Sequence, residues 1–147
     1  DDVKYLDVRL NRLRRWHTDG LLCIGDAAHA MSPAGGVGIN MAVQDGVAAA
    51  RLLAEPLRRR RVTERELAAV RRRRVVPAAV TQAFQRQIDK RLLGPILRGG
   101  GPTAPPAALV RLLELAPWLS VIPAYLVGVG VRPERAPTFA RRTPQTS

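Results

Sequence analysis

The sequence predicts an α/β fold: one or two strands and one helix, followed by a mostly helical extension. Three observations predict it. Val3 to Leu10 alternates apolar and polar residues, and Leu21 to Ile24 is a short continuous apolar run that stops at Gly25-Asp26. Beyond a glycine-rich loop, the apolar residues change to helical spacing.

Taken in order, Leu6, Val8 and Leu10 share one face of the first segment and Asp7 and Arg9 the other, the period of a strand with one wet side. The basic stretch Arg12 to His17 ends at Trp16 and His17, which are expected to pack beside the next strand. Thr18-Asp19-Gly20 is a turn signal. Leu21-Leu22-Cys23-Ile24, enclosed by glycines, fits a strand buried on both faces. A helix from about Ile39 to Leu53 places Ile39, Val43, Val47, Ala50 and Leu53 along one stripe. Its small residues Ala42, Gly46, Ala49 and Ala50 let it lie close to a sheet.

Thr63-Glu64-Arg65-Glu66 spells a capping box, which opens a helix running into Arg71 to Arg74. Pro77 is expected to break or kink it. Val76, Val80, Phe84, Ile88 and Leu92 then form the stripe of a second amphipathic helix reaching about Leu93, and Gly94-Pro95 ends it. Gly99-Gly100-Gly101-Pro102 and Pro105-Pro106 read as a linker. After it come a short helix near 107–115 and the apolar stretch Trp118 to Val131, interrupted by Pro123 and two glycines. The polar tail from Arg132 onward is expected to be disordered.

Hydrophobic residues make up 46% of the 147, enough for a packed interior. The net charge of +12 is carried almost wholly by Arg, with Lys4 and Lys90 the only lysines. A field of that sign suits anionic cofactors, nucleic acid or anionic lipid. Aromatics are only 4%, however, so platforms for stacking bases are nearly absent and no nucleic-acid partner is expected. Arg58 to Arg61 and Arg71 to Arg74 read as solvated faces, with docking to an anionic surface as the alternative. Cys23 stands alone and without His or Cys at ligand spacing, so it reads as a small buried hydrophobe and no metal site is expected. With no signal-peptide pattern and no apolar run of membrane-spanning length, a cytoplasmic location is expected. Trp118 to Val131 either packs on a missing domain or dips into a membrane interface, which leaves membrane association open.

The chemistry is concentrated between Gly25 and Asn40. At the carboxyl edge of a parallel strand, a ligand can reach backbone groups that the sheet does not use. Gly25 allows close approach, and Asp26 either accepts from a sugar or ribitol hydroxyl or caps the turn. Gly35, Gly36 and Gly38 permit positive φ and remove side chains, so the N–H groups of Val37 to Asn40 can face a ligand. A helix start adds the positive end of its dipole, worth about 0.3–1 kcal/mol for a nearby anion. The Asn40 side chain either meets that ligand or satisfies the first helical turn. Asp26, His29 and Ser32 lie within one short loop, whereas triad residues converge from separate elements. His29 is therefore read as a structural residue bonded to backbone, and no catalytic residue is assigned.

The string Gly25-Asp26-Ala27-Ala28-His29, then Pro33, then Gly36-Val37-Gly38-Ile39-Asn40 resembles the Gly-Asp-Ala-Ala-His…Pro…Gly-x-Gly-x-Asn segment of the flavin-dependent aromatic hydroxylases, the para-hydroxybenzoate hydroxylase-like family. The resemblance runs from about Trp16 to Leu57 and continues more loosely to Leu97. It implies that the strands and the first helix are the C-terminal part of a doubly wound FAD-binding domain, with FAD as cofactor, reduced nicotinamide cofactor, NAD(P)H, as electron source, and insertion of one oxygen atom into a small aromatic or quinone-like substrate. Carried over residue by residue, Asp26 matches the aspartate that hydrogen-bonds the flavin ribityl chain, just after Gly25. Pro33 matches the proline beside the isoalloxazine ring. Gly36, Val37, Gly38, Ile39 and Asn40 match the loop and helix start whose N–H groups face the pyrimidine edge of the flavin. Reduced flavin is negative near that edge, and a helix N-terminus stabilises it without a charged side chain.

The family's Gly-x-Gly-x-x-Gly turn, which holds the adenosine diphosphate, does not open this sequence, and the motif that supports nicotinamide access is missing. Gly94 to Gly101 is no substitute, because it follows a helix and contains Pro95. The chain is expected to be a fragment that lacks the N-terminal nucleotide-binding half and is not competent alone. Its expected parts are 1–57, the end of the FAD-binding domain with the flavin-ring motif; 58–98, a helical extension; 99–131, linker and apolar helix; and 132–147, a disordered tail. The alternatives are a flavin-dependent reductase or halogenase sharing the segment, a basic nucleic-acid- or membrane-surface-binding module, and an inactive truncated product.

Overall fold

The computed structural model describes residues 10–33, 36–93, 111, 114–116, 118, 121, 125 and 128–137. The alternating segment before Leu10, the glycine-proline linker and the end of the tail lie outside the described residues. Two short strands, β1 (His17–Thr18) and β2 (Leu21–Leu22), pair antiparallel, with His17 opposite Leu22 and Thr18 opposite Leu21. Asp19 and Gly20 make the turn between them, and Gly20 supplies the positive φ of 70° that a two-residue hairpin turn requires. Trp16, as expected, is fully buried beside this hairpin, and its carbonyl accepts from the Cys23 N–H at 2.7 Å.

The expectation for Leu21 to Ile24 needs correction. Among the described residues it forms half of a hairpin, and Leu21 is 55% exposed. Its inner side chains Leu22, Cys23 and Ile24 pack on the helices. An unbroken apolar run does not reveal on how many sides a strand will be covered. The described fold is an α/β fragment, a two-stranded sheet with two helices.

Helix α1 (Val37–Arg58) and helix α2 (Glu64–Ile88) pack on each other, and a π-helical turn continues from Asp89 to Leu93. The chain reverses through Arg60, whose φ is 51°, and α2 starts at the capping box. The Thr63 hydroxyl accepts from the Glu66 N–H, and the Glu66 carboxylate accepts from the Thr63 N–H at 2.7 Å. Of the two outcomes expected at Pro77, a break or a kink, the break does not occur: α2 runs through it, and the ring is buried. A proline removes one helical hydrogen bond, and here burial of Pro77 and Ala78 in the interior accompanies a helix that continues past it.

The helix faces are also corrected. Ile39 is 76% exposed and Val76 56%, and Val43, Val80 and Phe84 are exposed with them. The buried face of α1 carries Val37, Met41, Asp45, Ala48, Leu53 and Pro56. The buried face of α2 includes Leu67, Val70, Arg74, Thr81, Gln82 and Gln85. Among the described residues, the apolar core forms two small clusters, one around Trp16, Met31 and Met41, the other around Leu53, Leu67 and Val70. Between them the interface is polar, so hydrophobic spacing alone picks the wrong face.

The segment from Arg132 was expected to be disordered, yet Arg132 and Glu134 are tied to the helices, the Arg132 carbonyl accepting from Arg74 Nη1 at 3.1 Å. Glu134 meets Arg51 of α1 at 3.4 Å and Arg73 of α2 at 2.5 Å. Upstream in the same segment, Gln44 of α1 donates to the Val129 carbonyl at 2.9 Å. Buried ion pairs, invisible to a reading of polarity along the sequence, account for the difference. No helix among the described residues is long and apolar enough to cross a membrane.

Candidate functional site

Gly25 to Ala27 form a single 3-10 turn at the end of the hairpin. Gly25 has a φ of 59°, and a Cβ there would come 3.1 Å from the Cβ of Ala42. Both facts require glycine, because the turn is left-handed and α1 passes directly beneath it. The Gly25 carbonyl accepts from the N–H groups of Ala28 and His29, each at 2.9 Å. Its own N–H is held from below by the Asp45 carboxylate at 3.0 Å. The turn thus lifts Asp26 to the surface, where its carboxylate has no hydrogen-bond partner among the described residues.

The loop that follows is anchored by two glutamines of α2. Gln82 donates to the carbonyls of Asn11 at 2.6 Å and Ala30 at 3.0 Å. Gln85 accepts from the Ser32 N–H at 3.2 Å and donates to the Ser32 carbonyl at 3.0 Å. The Pro33 carbonyl accepts from the Gly36 N–H at 3.3 Å, and both residues are exposed. Gly36, at φ 63° and ψ 15°, opens α1 without a side-chain cap, and no acidic residue follows in the first turn. Among the described residues, no side chain accepts from the first N–H groups of the helix.

A Cβ on Gly38 would fall 3.9 Å from Asp26 Oδ1 and 3.4 Å from the Cβ of Met31. The fold thus brings Asp26 and the N-terminus of α1 side by side, from positions twelve apart in the chain. Val37, Ile39 and Asn40 contribute differently. The Val37 side chain enters the core, Ile39 points outward, and the Asn40 amide donates to the Gly128 carbonyl at 3.3 Å. In this region a lone carboxylate acceptor adjoins a row of backbone donors at the positive end of a helix. Such a pair can hold a hydroxyl on one side and an electron-rich or anionic edge on the other.

Sequence reasoning missed what lies beneath. Asp45 is fully buried, and its carboxylate accepts from Arg74 Nε at 2.8 Å as well as from Gly25. His29 Nε2 lies 2.6 Å from Asp45 Oδ2, so His29 is tied to a carboxylate and not to backbone as expected. Its ring also tilts against Trp16, with centroids 5.0 Å apart. Burial pushes the Asp45 carboxyl up, but the hydrogen bonds from His29, Arg74 and Gly25 outweigh it and hold the pKa below the ordinary 3.8. A signal existed: Asp45 is in phase with Val37 and Met41 on the inner stripe, where an unpartnered acid would not be tolerated. No group of three or more His, Cys, Asp or Glu among the described residues could hold a metal ion.

Comparison with known proteins is consistent with this geometry. Residues 1–84 match the model of the family described as FAD binding domain. The chain is 58% identical over 73 residues to the 6-methylpretetramide 4-monooxygenase of Streptomyces rimosus, an alignment covering 50% of this chain and 18% of that protein. It is 62% identical over 39 residues to the kynurenine 3-monooxygenase of Xanthomonas oryzae pv. oryzae, covering 26% of this chain and 9% of the relative. The matched part is therefore less than a fifth of the length of either relative. No solved structure matches the chain significantly.

Proposed function

The chain belongs to the FAD binding domain family, and from that premise we propose that it supplies the isoalloxazine-binding part of a FAD-dependent monooxygenase. The observation that carries the proposal is the uncapped N-terminus of α1 beside an Asp26 carboxylate that has no partner among the described residues. The residues fit the cofactor: a side chain at Gly38 would fill the gap between Asp26 and Met31, and the available donors suit the pyrimidine edge of a flavin. In this reading Asp26 accepts from a ribityl hydroxyl and Gly25 keeps the turn close to α1. Pro33 lines the ring, Gly36 opens the helix, and the N–H groups that follow, from Val37 towards Asn40, face the pyrimidine edge.

When bound, FAD supplies the redox chemistry by which one oxygen atom is placed on a substrate, with NAD(P)H as reductant. The residues of this chain bind and orient the ring and stabilise negative charge on it through backbone dipoles, which need no reorganisation during the reaction. The substrate we assign is aromatic or quinone-like; the two relatives named as monooxygenases support oxygen insertion as the reaction class. The partner is an N-terminal nucleotide-binding half, with which this chain would complete a doubly wound domain. The cytoplasm, where reduced nicotinamide cofactor is available, is the compartment we assign.

Replacing Asp26 tests the site. In the full-length parent enzyme, Asp26→Ala should weaken FAD binding by about two- to tenfold, the range of one lost hydrogen bond, with little change in melting temperature. FAD occupancy after exhaustive dialysis, read from the visible absorbance, is the measurement. Occupancy equal to that of the parent would remove Asp26 from the site.

A further inference from the structure

Glu134 lies far from the glycine loop in sequence and on neither helix, yet its side chain is fully buried against three arginines. It reaches Arg73 Nε at 2.5 Å, Arg51 Nη2 at 3.4 Å and Arg74 Nη1 at 3.9 Å. Arg74 Nη1 also donates to the Arg132 carbonyl at 3.1 Å, two residues before Glu134. At its other edge, Arg74 Nε donates to Asp45 Oδ1 at 2.8 Å. The remaining oxygen of Asp45 accepts from the Gly25 N–H at 3.0 Å, and Gly25 directly precedes Asp26. A continuous chain of charged contacts thus runs from the C-terminal segment, through α2 and α1, to the turn that presents Asp26.

We propose that Glu134 is a positioning residue for the flavin site, fixing the Gly25-Asp26 turn through Arg74 and Asp45. The inference rests on the assignment of Asp26 to the flavin. Arg74 is completely buried and its guanidinium is planar, so its two edges cannot be adjusted independently. Glu134 and the Arg132 carbonyl hold one edge, and the orientation they set determines where the other edge places the Asp45 carboxylate. Removing the Glu134 charge leaves that edge of the buried guanidinium to the Arg132 carbonyl alone, so that Arg74 can shift and draw Asp45 away from the Gly25 N–H. The same segment reaches α1 a second time, where Asn40 and Gln44 donate to the Gly128 and Val129 carbonyls. The stretch 128–134 therefore contacts α1 near its N-terminus as well as Arg74 of α2.

A double-mutant cycle in the full-length parent enzyme tests this, using FAD titration of stripped protein and melting temperature at saturating FAD. Glu134→Gln should raise the FAD dissociation constant about tenfold, while Glu134→Asp, which keeps the charge, should recover much of the loss. In the Asp26→Ala background the same Glu134→Gln change should add less than about twofold, because the residue it positions is gone. If the two effects multiply, or if Glu134→Gln lowers the melting temperature with FAD affinity intact, Glu134 is only a staple between helices and the proposal fails. Should Glu134→Gln not fold, the smaller residual loss expected of Glu134→Asp, whose carboxylate is withdrawn by one methylene, carries the comparison: it should vanish in the Asp26→Ala background, and a loss that persists there overturns positioning. A silent Asp26→Ala overturns the flavin assignment itself. A silent Glu134 substitution beside an effective Asp26→Ala overturns positioning alone.

Discussion

At Gly38 the absence of a side chain serves the surface of the helix and not its stability. Glycine in a helix is about 0.5–1 kcal/mol worse than alanine, so α1 tolerates it at a cost. A Cβ would find ordinary contact with Met31 at 3.4 Å, but the branched carbons of valine would extend into the space beside Asp26 Oδ1. Gly38→Val in the parent enzyme should therefore fold and yet lose FAD more severely than Asp26→Ala, by more than about tenfold. The ratio of flavin to protein absorbance after gel filtration measures it, and a fully yellow valine variant would show that no ligand approaches this turn. Gly25 is different, because its left-handed φ and the 3.1 Å approach to Ala42 make it a folding requirement first. Two glycines of one motif thus serve different ends, and only the structure separates them.

At the scale of elements, the features set by neighbouring residues were legible in advance. The capping box is one. Thr63 and Glu66 exchange hydrogen bonds with each other's backbone, and the Glu66 carboxyl is held below its ordinary pKa first by the Thr63 N–H and then by the Thr63 hydroxyl. Thr63→Ala should lower stability by about 1 kcal/mol, seen as a reduced urea midpoint with an unchanged slope. No change in midpoint would mean that packing of Leu67 and Val70 alone fixes the start of α2. The glycine loop was legible for the same local reason, since Gly36 and Gly38 begin a helix wherever that helix packs. The phase of each helix was not. Which side of α1 turns inward depends on Arg74, 29 residues beyond Asp45, and that pairing outweighs the apolar side chains of Ile39 and Val43, left at the surface. Pro77 misled because a helix reading weighs the lost hydrogen bond but not the burial of the ring. Glu134 was hidden because nothing in a Pro-containing polar tail distinguishes a solvated acid from one enclosed by arginines.

At the scale of the whole molecule, the excess of basic over acidic residues, 24 against 12, gives the few buried acids unusual weight. Asp45 is the one that joins hairpin, loop and both helices, through Gly25, His29 and Arg74. Its pKa is lowered in the fold, so the folded state binds fewer protons than the unfolded state once the pH approaches the ordinary value of 3.8. The stability it contributes is complete above that value and is lost as the pH falls through the lower, folded pKa. The stability of the parent enzyme should thus fall steeply below about pH 4. Surface repulsion would also grow in acid as exposed carboxylates neutralise, but about 1 M salt screens it at distances beyond about 3 Å. The part that survives high salt belongs to buried groups. Asp45→Asn should lower stability at neutral pH by about 3–5 kcal/mol, because Arg74 loses its buried partner. It should also flatten the salt-resistant acid slope, since the protonation that produced it can no longer occur. Urea midpoints at pH 5 and pH 3, in low and high salt, decide the matter. If Asp45→Asn retains the slope of the parent, the acid sensitivity originates in other carboxylates, and Asp45 does not govern the cohesion of hairpin and helices.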